Sequence, residues 1–327
     1  MPNSYGTFRT HVGFATEITY GTTVAAVTWI PANSYDDFTD DQGYVMDIGG
    51  RAKASKVYAI YPGVQQGKGA YTFNYYTNEC ARFWARLLGT DTLGSSSGGA
   101  GGGTVTGWQR TFTLADLPLS DTVQDFFGST LGDRSFAGAV YESLNFKFDR
   151  KTGLATIKPT FLSAAPTTGP GTEATPSYGT DAALRGYEAV FSVGGSTKTT
   201  LLTFDLTLTR QVELIFAGNN SQKPSGFETG NFDCVGKIEF YGSTDQPYTD
   251  YRAGTQQAIE LVMTDTTVGS SYARLDILAT KAQFTKVVPD RSGPYLRYAA
   301  DFQAIHNATD AGPLQVITTI STSSAVI

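Results

Sequence analysis

The feature that most constrains this fold is a strict alternation of apolar and polar residues over positions 202–209. The segment reads Leu-Thr-Phe-Asp-Leu-Thr-Leu-Thr, so its apolar residues share one face of an extended chain and Asp205, Thr207 and Thr209 share the other. A period of two is typical of a half-buried strand and does not fit a helix. Charged residues make up only 17%, while 18 Tyr and 20 Phe suit a pleated surface. We therefore predict a β-dominated (α+β) fold.

Further segments predict the remaining elements. Strands are expected at residues 142–148, 235–241, 282–288 and 295–302. A helix is expected at 78–88, because Cys80, Phe83, Trp84, Leu87 and Leu88 form an apolar stripe between a possible Asn78 N-cap and a terminating Gly89. A second, weaker helix is predicted at 255–263.

The chain divides into two halves of similar pattern. The segment from Gly69 to Phe73 corresponds to the segment from Gly236 to Phe240, and each half ends in a strand, a Gly turn and a second strand. We infer an internal duplication with a first domain at 1–163 and a second at 180–327. The Pro-, Thr- and Gly-rich segment 164–179 is the predicted linker, and the Gly/Ser-rich segment 94–107 is a predicted loop insertion in the first copy.

A search for catalytic or metal chemistry finds little. His11 and His306 are the only histidines, and both are interpreted as surface or satisfied interior residues. Residues 36–41 hold four carboxylates, but their spacing fits a solvated acidic turn better than a calcium loop. Two free thiols are preferred for Cys80 and Cys234, with a disulfide left open. The net charge of −6 disfavours ordinary nucleic-acid binding. We expect no enzymatic activity, no cofactor, no metal site and no membrane partner.

The opening segment resembles a family of long-tailed phage tail tube proteins. Residues 13–22 read Gly-Phe-Ala-Thr-Glu-Ile-Thr-Tyr-Gly-Thr and lead into Trp29-Ile30-Pro31, which is similar to the start of that family. Gly49-Gly50-Arg51, the helix ending Arg-Leu-Leu-Gly, and the alternating segment in the second half follow in the family's order. The resemblance implies β-sandwich or barrel-like domains, each with few flanking helices, in rings that stack into a hollow tube through which the genome passes.

The resemblance, the internal duplication and the acidic net charge together carry further expectations. Partners are other copies of the chain, in rings of three with pseudo-sixfold symmetry, together with tape measure, tail tip and terminator proteins and transiently passing DNA. The protein is expected in the virion tail, after assembly in the host bacterial cytoplasm. Loops between two equivalent strands of each half should contact the neighbouring ring, with these residues: Gly49, Gly50, Arg51, Lys53, Lys56, Asn219, Asn220 and Lys223. The bore should be lined by acidic and hydroxyl side chains, with these candidates: Glu142, Asp205, Thr207, Thr209 and Glu239.

Three alternatives stay open at this point. The chain could be another tail component, such as a tail tip, collar or terminator protein. It could be a carbohydrate-binding module of a fibre. A hydrolase whose site forms only in three dimensions is the least favoured, because no plausible base is apparent.

Overall fold

The structure is a computed structural model of the whole chain. It describes residues 10–49, 51, 55–94, 108–127, 133–151, 153–169, 175–218, 220–243, 246–265 and 273–320. The predicted insertion at 94–107 lies outside the described residues except for Gly94, as do residues 170–174 of the predicted linker.

Strands dominate both halves. The elements of the first half are β1 (His11–Thr16), β2 (Thr28–Trp29), β3 (Ala32–Asp41), β4 (Val45–Asp47), β5 (Ala59–Tyr61), β6 (Gln66–Asn74), α1 (Thr77–Leu88), β7 (Thr92–Gly94), β8 (Trp108–Phe112), β9 (Asp121–Phe126), β10 (Asp133–Asp149), β11 (Thr156–Ala164) and β12 (Thr167–Gly169). Those of the second half are β13 (Ala189–Val193), β14 (Ser196–Thr197), β15 (Leu201–Ile215), β16 (Gly226–Tyr241), α2 (Gln246–Ala253), β17 (Gln256–Thr264), β18 (Arg274–Asp290), β19 (Arg297–Ala304) and β20 (Gln315–Ile320).

The strand predictions are confirmed, and four of the five strands are longer than the segments in which the pattern was found. The five predicted segments fall within or overlap β10, β15, β16, β18 and β19. In β15 the apolar members of the alternation are buried and the polar members are half-buried or exposed, as a period of two requires.

The helix predicted at 78–88 is confirmed as α1. It ends at Gly89, whose φ of 102° only glycine adopts readily. The predicted N-cap was wrong: Tyr76 is the N-cap, and Asn78 lies in the first turn, where its amide donates to the Asp181 carboxylate at 3.3 Å. The acceptor for this first-turn amide therefore comes from a distant segment of the chain, which the local sequence does not show.

The helix predicted at 255–263 was wrong. This segment is β17, which pairs antiparallel with β13 and β18. Its buried residues are Ile259, Leu261 and Met263, a period of two whose neighbours face outward. The second helix is α2 instead, and it buries none of its residues, so it has no apolar stripe for a sequence pattern to detect.

Eight strands form a continuous antiparallel sheet in the order β3-β6-β11-β10-β15-β16-β19-β18. The amino-terminal half of β10 leaves this sheet to pair with β9 and β12, and that of β18 leaves it to pair with β17 and β20. These pairings build the second layer, and a hydrophobic cluster between the layers includes all the apolar residues of α1. The buried face of the long sheet therefore packs on a core, and its other face is left polar.

The two halves of this sheet repeat the same pairings. The hairpin β10-β11 has a register shift after Tyr141, and the hairpin β18-β19 has one after Phe284. Gly69 lies opposite Phe161, and Gly236 lies opposite Phe302. A Cβ on Gly236 would come within 2.1 Å of the Phe302 ring, so these glycines leave room for an aromatic ring beside them. The division into domains 1–163 and 180–327 stays a prediction, which superposition of the halves would test.

Candidate assembly surfaces

A row of alternating charges crosses the polar face of the eight-stranded sheet. Residues that lie directly opposite each other on neighbouring antiparallel strands share a face. The row runs over five strands, in the order Lys147, Asp205, Lys237, Asp301 and Lys286. Each carboxylate lies between two lysines and each lysine has a carboxylate beside it, so the three lysines and two aspartates leave an excess of one positive charge.

The five residues predicted to line the bore share this face. The Asn145 amide donates to Asp205 at 2.6 Å and to the Thr207 hydroxyl at 3.0 Å, which ties them to β10. Glu142 forms an ion pair with Lys68 at 2.7 Å, and Glu239 lies opposite Thr203. Thr209 is exposed. The structure therefore brings the five together on one sheet face, and their position in a bore stays a prediction.

This face is less acidic than the sequence suggested. The expectation was a surface rich in Asp, Glu, Thr and Ser, yet lysines occur on at least four of its strands. Lys158 lies 3.3 Å from the Asp36 carboxylate, which repeats on β11 and β3 the pairing of cation and anion seen in the charge row. Burial opposes ionisation of Asp36, but hydrogen bonds from Lys158 and Thr72 outweigh it and lower the pKa of that carboxyl.

A hairpin formed by β4 and β5 exposes apolar side chains on both of its faces. Met46 lies opposite Ile60, and each is 56% exposed. Val45 and Tyr61 form the next pair, on the other face, and are also more than half exposed. Apolar side chains on both faces of a two-stranded ribbon are unfavourable in water unless another surface covers them. The hairpin is therefore suited to contact with a partner.

The base of this hairpin contacts the loop between β15 and β16. The Gln65 amide donates to the carbonyl of Gln222 at 2.7 Å, and the Gln222 side chain donates to the carbonyl of Pro62 at 3.3 Å. The two segments predicted to reach the neighbouring ring therefore meet at one edge of the molecule. Their contact with another ring stays a prediction.

The predicted ring-contact residues are placed as follows. Arg51 forms an ion pair with Asp47 and lies 4.8 Å from the centre of the Tyr58 ring. The amide of Gly49 donates to the same Asp47 carboxylate at 3.1 Å. Lys56, Asn220 and Lys223 are exposed, and Gly50, Lys53 and Asn219 lie outside the described residues. The sequence did not predict the exposed apolar residues of the hairpin, and the signal that could have indicated them is the two adjacent apolar pairs Val45-Met46 and Ile60-Tyr61.

The motif at residues 13–22 has a structural role. The buried Glu17 carboxylate accepts hydrogen bonds from the amides of Gly21 and Gly138 and from the hydroxyls of Ser120 and Thr122, at 2.7–2.9 Å. One side chain therefore ties the turn after β1 to β9 and β10. No spacing in the sequence reveals the partners on those two strands, which lie more than 100 residues away.

Within the described residues, no group of three or more His, Cys, Asp or Glu side chains could hold a metal ion. Cys80 and Cys234 are both buried free thiols, which confirms the preferred interpretation, and burial raises the pKa of each. In the part of the chain that the structure describes, no helix has the length and apolarity that a membrane span requires.

Within the described residues, the continuous sheet has one polar face and edge strands that are only partly paired, and the hairpin of β4 and β5 exposes apolar side chains. These features suit a subunit for repetitive association. The comparison with known families agrees with this class. A model of phage tail tube proteins matches residues 7–304, so the chain belongs to the phage tail tube protein family. It is a structural protein of the phage virion, a component of the tail tube. No curated protein matches the sequence.

Proposed function

We propose that three copies of this chain close a ring of six like sheet segments, and that such rings stack into the tail tube. The eight-stranded sheet supports this, because its first four strands and its last four have the same order and the same register shift. Two equivalent segments per chain would give a ring of three the appearance of sixfold symmetry.

The polar face of the sheet lines the bore in this arrangement, and the opposite face carries α1, α2 and the second layer outward. DNA passing through the tube then meets lysines that are already matched by carboxylates. Such a wall offers little excess positive charge, so few counterions are released when DNA is near it and the duplex is not held.

The hairpin of β4 and β5 and the loop between β15 and β16 contact the next ring in this proposal. Their exposed apolar residues lie at one edge of the molecule, where stacking would cover them. Assembly in the host bacterial cytoplasm, contacts with tape measure, tail tip and terminator proteins, and the absence of enzymatic activity belong to the same proposal.

The ring size is tested with purified protein. We expect end views of assembled tubes, averaged from electron micrographs, to show six similar densities made by three chains. Mass measurement of single rings provides the chain count. A ring of six chains, or of twelve similar densities, would refute the proposal. Six similar densities in a ring that has the mass of three chains would support it.

The bore assignment predicts an effect of one charge reversal. In Asp205→Lys, the new lysine lies between Lys147 and Lys237, and three adjacent cations then face the bore. We expect assembled tubes of this variant to retain short duplex DNA at about 50 mM salt and to release it as salt rises, because phosphate binding releases counterions. Retention of labelled duplex by sedimented tubes is the measurement.

Asp250→Lys is the matched control for this experiment. Asp250 lies on α2, which packs over the buried Phe284 and so lies on the other side of the sheet. Its reversal adds the same charge outside the proposed bore. Equal retention by both variants, or none by Asp205→Lys, would count against a bore lined by this face.

A further inference from the structure

The segment that follows α1 supplies two strands to the second layer of the other half of the chain. β8 lies antiparallel to β20 along its whole length, from Phe112 opposite Val316 to Trp108 opposite Ile320. β7 pairs with β8 in turn. Because β20 also pairs with β18, and β18 with β17, this hairpin of the first half extends a sheet whose other strands belong to the second half.

The hairpin of β7 and β8 has no counterpart in the second half. α1 and α2 occupy equivalent places, since each follows a strand with an anchoring glycine, β6 or β16. β9 and β17 are also equivalent, because each pairs with the first strand of the next hairpin, β10 or β18. Residues 89–120 separate α1 from β9, whereas only Gly254 and Thr255 separate α2 from β17. The hairpin is therefore an addition to the first half, and the edge that it covers belongs to the second.

The added hairpin closes part of the core. Phe112 and Val316 lie directly opposite each other and are both fully buried. Arg110 is also buried, and its Nη1 donates to both oxygens of the Asp91 carboxylate at 3.1 Å. α1 lies beneath this part of the layer, against β8 and β20. The main helix of the first half is therefore covered by strands from both halves.

Arg210 makes a reciprocal contact from the second half. It lies on β15 and is only 3% exposed. Its Nη1 donates to the carbonyl of Leu87, in the last turn of α1, at 2.7 Å. Its Nη2 donates to the carbonyls of Ala115 and Asp116, which follow β8. The last carbonyls of a helix have no partner within that helix, and a buried guanidinium needs acceptors. One cation of the second half therefore holds the end of α1 and the chain that leaves the hairpin.

We propose that the hairpin of β7 and β8 and the side chain of Arg210 interlock the two halves into one body, which folds and unfolds as a single unit. Each half contributes a part that completes the other: the hairpin completes the second layer of the second half, and Arg210 completes the end of the helix of the first. The duplication produced two similar halves, but neither half is a complete domain by itself. This inference goes beyond the proposed function and concerns the single chain before assembly.

Contacts in both layers distinguish an interlock from a simple junction. In the long sheet, the halves meet along β10 and β15. In the second layer, they meet along β8 and β20. A junction through one sheet leaves freedom of rotation, because the angle between neighbouring strands varies over about 10–35°. A second ladder on the other side of the core removes that freedom, so the two halves keep a fixed angle.

Coincidence of two unfolding signals tests the interlock. All three tryptophans, Trp29, Trp84 and Trp108, belong to the first half, so their fluorescence reports on that half. Circular dichroism reports on the strands of both halves. In urea we expect the two signals to change in one transition with the same midpoint, as a single unit requires. A dichroism change in two steps, with fluorescence following only one of them, would contradict the proposal.

Cleavage of the link between the halves provides a second test. A recognition site for a specific protease is inserted between Gly171 and Thr172, and the purified chain is cut before assembly. We expect the two fragments to elute together from gel filtration in native buffer. Arg210→Met keeps an apolar stem but removes the donors to the first half. It should raise the dissociation constant of the cut fragments by at least tenfold, because hydrogen bonds from a charged group are strong.

Ile259→Val separates one interlocked body from two docked domains. Ile259 is buried on β17, and both partner strands, β13 and β18, belong to the second half. Loss of one carbon from the core should lower the folding constant of the uncut chain by roughly 2–10-fold. If the halves fold only together, the same factor should appear in the dissociation constant of the cut fragments. Two separately folded domains would instead keep their mutual affinity, since this residue lies in neither contact.

Ser243→Ala is the control for both measurements. Ser243 is exposed, so its replacement should leave the folding constant and the dissociation constant within about twofold of wild type. Wild-type fragments that separate in native buffer, or a dissociation constant that Ile259→Val leaves unchanged while it destabilises the uncut chain, would overturn the interlock. Neither result touches the proposed ring, because the halves would still be joined through the long sheet. A failure to form rings would likewise leave the interlock standing.

Discussion

Replacement of Asp121 by alanine should unfold this protein or leave it largely insoluble. Asp121 is fully buried and accepts a hydrogen bond from Arg86 Nε at 2.6 Å. Its second oxygen lies 3.0 Å from Arg82 and 3.3 Å from the Tyr141 hydroxyl. Both guanidinium groups come from α1 and are themselves buried. Without the carboxylate, two positive charges remain in the core with no counter-charge from this residue.

The expected cost is about 3–5 kcal/mol for breaking one such buried pair, against a total stability of about 5–15 kcal/mol. Denaturant unfolding and the soluble fraction after expression are the measurements. Glu142→Ala is the control, because it removes the partly exposed pair with Lys68 and should cost less than about 1 kcal/mol. A loss below that value for Asp121→Ala would show that the buried ion pairs do not hold α1 in place.

A rescue variant separates charge burial from a general packing defect. Arg82→Met, Arg86→Met and Asp121→Leu together remove both cations and the anion while they keep similar volume. Such replacement of a buried ion network is often neutral or stabilising. We therefore expect the triple variant to be more stable than Asp121→Ala. If it is less stable, shape and not charge dominates at this site.

Substitution of the exposed apolar pair Met46 and Ile60 by aspartate should stop tube growth without unfolding the chain. Both side chains are more than half exposed, so the fold loses little when they become polar, within about 0.5 kcal/mol for each. Burial against the next ring would place two unpaired carboxylates in an apolar contact, which is strongly unfavourable. We expect single rings instead of long tubes in negative-stain images.

Val190→Asp is the matched control for the hairpin. Val190 lies on β13 and is 52% exposed, close to the exposure of Met46 and Ile60. It belongs to neither of the segments proposed to contact the next ring. Tubes of ordinary length in the Met46 and Ile60 variant, or an equal defect in Val190→Asp, would contradict the role assigned to the hairpin. Circular dichroism melting confirms that each variant is folded.

The sequence by itself determined the strands and the main helix. Period-two alternation along β15 and the apolar stripe of α1 are local patterns, and each corresponds to one buried face. The glycine anchors were also readable. Gly69 and Gly236 stand at equivalent positions because each lies opposite a phenylalanine in the neighbouring strand. The order of short motifs was enough to indicate the family, which the match over residues 7–304 shows.

Tertiary structure alone decided which segments pair and which surfaces remain free. Residues 255–263 became a strand because β13 and β18 lie on both sides of it, and α2 is a helix without a buried face. Most partners of Glu17 are remote in sequence, and so are those of Asp121, since buried charges find their counterparts through space. The prediction of a solvated turn at 36–41 was wrong, because these residues belong to β3. Their run of carboxylates has no strand pattern, and only the pairing with β6 shows that they form a strand.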